Sequence, residues 1–181
     1  MRPDPPKISI QPGQLYLARS PMLLQTILGS CVGVTFWSPR LGAGALCHGV
    51  LPRCPRGTGG SDGHRYVDFS IRYLAEQFDA LGACRQELEL KLFGGADVLP
   101  VSAVRAHLAT VGAQNCQAAL EVLEREGLRV AASDLGGMRG RTIHFDTGTG
   151  EVLVHRLATL RVSEAHNTGD AHPARRRKDR L

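Results

Sequence analysis

Two apolar runs joined by a short turn constrain this chain more than any other feature. Residues 31–37 (CVGVTFW) are rich in β-branched and aromatic side chains, and Gly29-Ser30 and Ser38-Pro39 bound them. Residues 44–51 form a second run after the turn Pro39-Arg40-Leu41-Gly42. Such residues fit a pleated surface while Gly and Pro punctuate it, so the two runs read as strands of one hairpin.

The rest of the chain alternates in the same way. Residues 15–17 and 23–28 read as short strands, and 53–64, rich in Gly, Pro, Ser and Thr, as a mobile loop. Val67, Ile71, Leu74, Phe78 and Leu81 recur at helical spacing and predict an amphipathic helix over 66–81 that stops at Gly82. Residues 88–93 predict a strand running into the Gly94-Gly95 turn. A second helix is expected from an N-cap at Asn115, with Cys116, Ala119, Leu120 and Leu123 inward and Gly127 at its end. Strands at 129–132, 142–145 and 152–157 follow, the last two joined by Thr147-Gly148-Thr149-Gly150 as a hairpin. Two helices among many hairpin-linked strands indicate an α+β or layered α/β domain.

A length of 181 residues suits one domain. It is expected over 8–162, between a proline-rich disordered segment (1–7) and a disordered basic tail (163–181). Of the net charge of +5, the last seven residues carry +4, from Arg175, Arg176, Arg177, Lys178 and Arg180 against Asp179. The body is close to neutral, which argues against a nucleic-acid-binding face. There is no apolar run of membrane-spanning length and no secretory signal at the start. The five scattered cysteines are therefore expected to be reduced thiols in a cytoplasmic protein.

Of these thiols, Cys31 has the setting of a nucleophile. It begins a strand just after a Gly-Ser turn; Gly29 leaves the approach of a carbonyl unobstructed, and turn amides at Ser30 and Cys31 are placed to donate to an oxyanion. A free thiol has a pKa near 8.5 and needs a base or cation beside it. His48, on the partner strand of the hairpin, is the leading base, because imidazole titrates near neutrality. The Thr26 hydroxyl is placed to orient its ring. Against this, a buried Cys is most often a small core residue and a lone His in a strand a satisfied one, so spacing alone leaves both readings open. A zinc site from Cys47, His48 and Cys54 lacks the paired spacing of structural sites.

Six ordered stretches then settle on a family. LGSCVGV (28–34), H-x-x-L-P (48–52), RYVD (65–68), KLFGGADVL (91–99), VGAQN (111–115) and a closing DLGG–RGR–I–F–TG–V pattern (134–154) resemble the chemoreceptor glutamine deamidase family, CheD, over residues 8–160. The resemblance implies a layered α-β sandwich with mixed sheets and two main helices, similar to bacterial toxin deamidases. It implies a catalytic Cys31, His48 and, across a one-residue gap, Thr26, with Gly29 and Ser30 supporting the oxyanion and no metal or cofactor. The activity implied is conversion of receptor glutamine side chains to glutamate with release of ammonia. The partners implied are methyl-accepting chemotaxis receptors and the chemotaxis phosphatase CheC. The alternative is a non-catalytic regulator that docks on CheC or on receptors.

Overall fold

A computed structural model describes residues 5–97 and 109–158. The basic tail and the first four residues lie outside that range, as do residues 98 and 99 of the KLFGGADVL stretch. The elements in chain order are β1 (Lys7–Ser9), β2 (Leu15–Ala18), β3 (Leu23–Leu28), β4 (Val32–Ser38), β5 (Ala43–Gly49), α1 (Val67–Ala80), β6 (Glu89–Gly94), α2 (Val111–Arg125), β7 (Val130–Leu135), β8 (Arg141–Asp146) and β9 (Val152–Arg156). They form a five-stranded sheet in the order β2-β5-β4-β6-β7 and a four-stranded sheet in the order β1-β3-β8-β9. The expected hairpins are present as antiparallel β4–β5 and β8–β9 pairs. Both sheets are mixed, since β1 runs parallel to β3 and β7 parallel to β6.

Three layers result, with the five-stranded sheet in the middle. Side chains alternate along a strand, so each strand of this sheet serves two cores. Val32, Val34 and Phe36 of β4 and Ala43, Ala45 and Cys47 of β5 pack with Ile71, Leu74 and Phe78 of α1 and Val122 and Leu123 of α2. On the opposite face Leu46 and Phe93 pack with Leu24 and Leu28 of β3 and Ile143 and Phe145 of β8. Every residue of β5 is buried. This explains why 44–51 reads as a nearly continuous apolar run with one histidine in it.

Both helices end as the sequence predicts, through a glycine with positive φ: Gly82 at 81° and Gly127 at 65°. Ala83 N–H reaches Phe78 O and Leu128 N–H reaches Leu123 O, which caps the last carbonyls. The start of α2 differs from expectation. It begins at Val111, and Thr110 is the N-cap, its Oγ1 accepting from Ala113 N–H at 3.2 Å. Asn115 lies inside the helix and is buried, and Leu120 is 48% exposed rather than inward. The segment read as a loop at 53–64 runs into a 3-10 turn (Gly60–Arg65) that enters α1.

Phe36 stacks on Phe78 with ring centroids 5.8 Å apart, joining the middle sheet to α1. Phe36→Ala is expected to cost about 3–5 kcal/mol, seen as an earlier urea midpoint at unchanged slope. A cost below about 1 kcal/mol would show that the helix layer can collapse onto the void.

Candidate active site

His48 sits near the end of β5, opposite Gly33 of β4. It shares its face with Leu46 and so projects between the two sheets, where it is only 2% exposed. Thr26 of β3 projects into the same layer and is also buried. Thr26 Oγ1 lies 2.8 Å from His48 Nδ1 and 2.7 Å from the carbonyl oxygen of Ile10. Two oxygens at that separation need a proton between them, and the hydroxyl holds the only one. Thr26 therefore donates to Ile10 O and accepts from His48, which fixes the proton on Nδ1. Nε2 keeps a free lone pair and has no hydrogen-bond partner among the described residues. Burial lowers the His48 pKa below its ordinary 6.5, with the Ile10 carbonyl opposing, so the ring is neutral at neutral pH.

Cys31 lies one residue before β4 and is half-buried. It packs against the core between the sheets, the layer that holds His48. By register it is a diagonal neighbour of His48, since Gly33 is directly opposite the histidine. Gly33 places no side chain on that face; the Leu28 methyls pack over it, and the thiol makes no hydrogen bond to His48 Nε2. Burial pushes the Cys31 thiol up from its ordinary value, and its own backbone N–H partly opposes this. Thiol and imidazole thus both rest neutral. A cavity of about 260 Å³ reaches His48 and Thr26 from the β1 side, lined also by Ile10, Gln25, Ile27 and Thr142.

The turn carrying Cys31 is held by three successive carbonyls. Ala96 N–H donates to Gly29 O at 2.8 Å, the Asn115 side-chain amide to Ser30 O at 2.9 Å, and Gly95 N–H to Cys31 O at 2.8 Å. Two glycines make this possible. A Cβ on Gly94, whose φ is 108°, would stand 2.1 Å from Cys31 O, and one on Gly112 would stand 2.5 Å from Gly95 O. The FGGA stretch thus lies directly against the Cys31 turn, and the first turn of α2 lies directly against FGGA.

Two residues near this turn escaped the sequence reading. Asn115 read as a cap and as the last residue of VGAQN, with no role of its own; its place one turn after Gly112, on the same helix face, was the available signal. Arg141 of β8 is fully buried. It pairs with Asp134 (2.8 Å) and donates to the carbonyls of Asp134, Gly136 and Arg139, gathering the β7–β8 loop. That loop in turn meets FGGA: Gly136 N–H donates to Gly94 O, and Asp97 N–H to Gly137 O, both at 2.8 Å.

The remaining sequence candidates disperse. Cys47 neighbours His48 along β5 but faces the helices, where burial pushes its thiol up to about 12; the two do not converge on one ion. Among the described residues no group of three or more His, Cys, Asp or Glu side chains is arranged to hold a metal. No helix among them is long and apolar enough to cross a membrane.

Comparison with known sequences gives one consistent answer. The family model for CheD, chemotactic sensory transduction, matches residues 50–156, beginning two residues after His48. A Geobacter sulfurreducens protein named as a probable chemoreceptor glutamine deamidase is 44% identical over 155 residues, covering 86% of this chain and 92% of its own. A Thermococcus kodakarensis protein of the same name is 34% identical, covering 88% and 98%. The crystal structure of a Neisseria meningitidis protein is similar at 14% identity with a TM-score of 0.46, over 74% of this chain and 65% of that one.

The depressed pKa of His48 has a consequence for stability. The unfolded chain binds a proton at this histidine below about 6.5, whereas the folded chain binds it only at lower pH. The contribution is therefore fully present above 6.5 and is lost as pH falls through the folded value. Urea unfolding between pH 8 and 5 should show wild type losing more stability than His48→Gln over the acid part of that range. Parallel curves would mean that the ring is not held neutral by burial.

Proposed function

This chain belongs to the CheD family, and from that premise we propose that it is a hydrolase that deamidates glutamine side chains of chemotaxis receptors through a thioester on Cys31. The observation that carries this reading is the Thr26–His48 hydrogen bond. It commits the ring proton to Nδ1 and leaves Nε2 as a buried, unpaired acceptor in the layer where the Cys31 side chain packs.

The chemistry follows from that state. Because thiol and imidazole both rest neutral, His48 Nε2 takes the thiol proton as Cys31 Sγ attacks the carboxamide carbon, rather than from a standing ion pair. Negative charge moves to the former carbonyl oxygen, where backbone N–H groups of the Ser30–Cys31 turn are the donors at hand. The imidazolium returns its proton to the departing nitrogen, ammonia leaves, and a glutamyl thioester remains. Water, deprotonated by the same Nε2, attacks the thioester; the thiol is restored and the side chain is glutamate. The receptor gains one negative charge. Thr26 touches no substrate atom in this scheme and holds the ring in the productive tautomer. The reduced thiol required suits a cytoplasmic setting. Through the same family resemblance the phosphatase CheC is proposed as a partner.

The test is mass spectrometry of purified receptor cytoplasmic fragments, in which each deamidated glutamine gains about 1 Da by exchange of NH₂ for OH. Wild type should produce the change and Cys31→Ala should not. His48→Gln should fall by about 10²- to 10⁴-fold, and Thr26→Val should fall less. Turnover by Cys31→Ala at the wild-type rate would remove the nucleophile. Receptor binding without any mass change would leave a docking role in place of the enzyme.

The neutral resting pair also sets the pH dependence. The acid limb of kcat/KM reports the free base, so its midpoint should lie below 6.5, in the direction burial moves His48. A midpoint above that value would mean that burial does not hold the histidine below its ordinary range.

A further inference from the structure

We infer that Asn115 is a positioning residue for the reaction, which aims the Cys31 backbone N–H at the developing oxyanion by holding the carbonyl of Ser30. The inference rests on the deamidase reading above and assigns to α2 a part in it.

Asn115 is fully buried, one turn after Gly112, which lets α2 touch the FGGA backbone. Its amide nitrogen donates to Ser30 O at 2.9 Å and to Val50 O at 3.0 Å. One side chain thereby bridges the residue before the thiol and the residue two beyond the histidine. Both amide protons are used on carbonyls, which fixes which side-chain atom is nitrogen. Oδ1 is left buried without a partner among the described residues. An orphaned acceptor costs about 1–3 kcal/mol, so a helix position that only needed filling would be better served by an apolar residue.

The peptide bond turns this clamp into an aiming device. The Ser30–Cys31 peptide is planar and trans, so its C=O and N–H point in opposite directions. Tying Ser30 O back towards α2 sends Cys31 N–H the other way, to the side of its own thiol. The flanking carbonyls of Gly29 and Cys31 are likewise tied back, by Ala96 N–H and Gly95 N–H. Successive amides turned to one side form an anion-binding concavity. Two of the three ties are backbone to backbone and do not depend on the Asn115 side chain. Only the middle one, which orients the amide of the nucleophile itself, depends on a side chain.

Substituting Asn115 should therefore affect oxyanion formation more than thiol reactivity, and two reactions of Cys31 separate these. Deamidation passes through an oxyanion, whereas alkylation by iodoacetamide does not. In Asn115→Ala, kcat for receptor deamidation is expected to fall about 10- to 100-fold, below the loss for deleting a donor outright, with KM and the Cys31 alkylation rate within about threefold of wild type. If Asn115→Ala does not fold, Asn115→Asp keeps the shape, presents carboxylate oxygen to two carbonyls and carries the same comparison. An unchanged kcat in a folded variant overturns the inference. So does a parallel fall of alkylation and kcat, which would mean that the clamp holds the sulfur rather than the amide. Wild type that leaves glutamine intact overturns the deamidase reading, and the clamp's role in it, while an active wild type with an indifferent Asn115 overturns the clamp alone.

Discussion

Burial of the β4–β5 hairpin on both faces is the constraint from which the rest of the molecule follows. Neither strand can turn a side to water, so the helices must cover one face and the four-stranded sheet the other. Alternation then decides what each layer receives. Cys47 goes to the helix layer and rests as an inert thiol, while His48, one residue on, goes between the sheets. A slip of one position in β5 would exchange them and leave the histidine among Phe and Leu side chains with no Thr26 to meet. The pairing of Gly33 with His48 is therefore as much a chemical assignment as a structural one.

Polar groups in the two cores show where packing yields to something else. Thr26 is satisfied twice, by Ile10 O and by the imidazole. His48 Nε2 and Asn115 Oδ1 are not, and Arg141 Nε is the other buried side-chain atom without a partner among the described residues. For Arg141 the ion pair with Asp134 and the several carbonyls it holds offset the loss. No such offset is visible at Nε2, and the two hydrogen bonds of the Asn115 amide both run to segments that carry the candidate chemistry. Unsatisfied atoms in a native interior call for an explanation, and here two of them bracket one short stretch of chain around Cys31.

Much of the architecture was legible because it is written in local periodicity and punctuation. The hairpin, α1, the glycine stops of both helices and the strands from β6 to β9 follow from patterns of two and 3.6 residues. What was not legible depends on contacts far apart in sequence. Asn115 looked like a cap because Asn favours caps, but burial against residues 30 and 50, 85 and 65 positions away, decides its role. Arg141 stood only as the last residue of the RGR motif, and its full burial depends on carbonyls supplied by the β7–β8 loop. β1 is three residues long and has no pattern of its own; it exists because β3 offers it an edge. For the candidate site, spacing could nominate Cys31 and His48 but not the tautomer, which needed the Ile10 carbonyl and hence the path of the chain between β1 and β2.

The glycine motifs fit the same account. A pair of glycines after β6 is weak evidence of anything when read alone, since turns use glycine freely. In the folded chain Gly94 is pressed against Cys31 O, Gly95 meets both the Cys116 sulfur and the α2 backbone, and Gly112 is pressed against Gly95. These contacts stack three segments, the Cys31 turn, the end of β6 and the start of α2, at separations no side chain would allow. The stack is what lets backbone amides hold Gly29 and Cys31 and brings Asn115 within reach of Ser30. LGSC, FGGA and VGAQN thus make one object, in which the second and third stretches lie against the first and hydrogen-bond its three successive carbonyls. A substitution that widened this stack by even a methyl group would move the thiol turn relative to β5, and so relative to His48, without touching either residue.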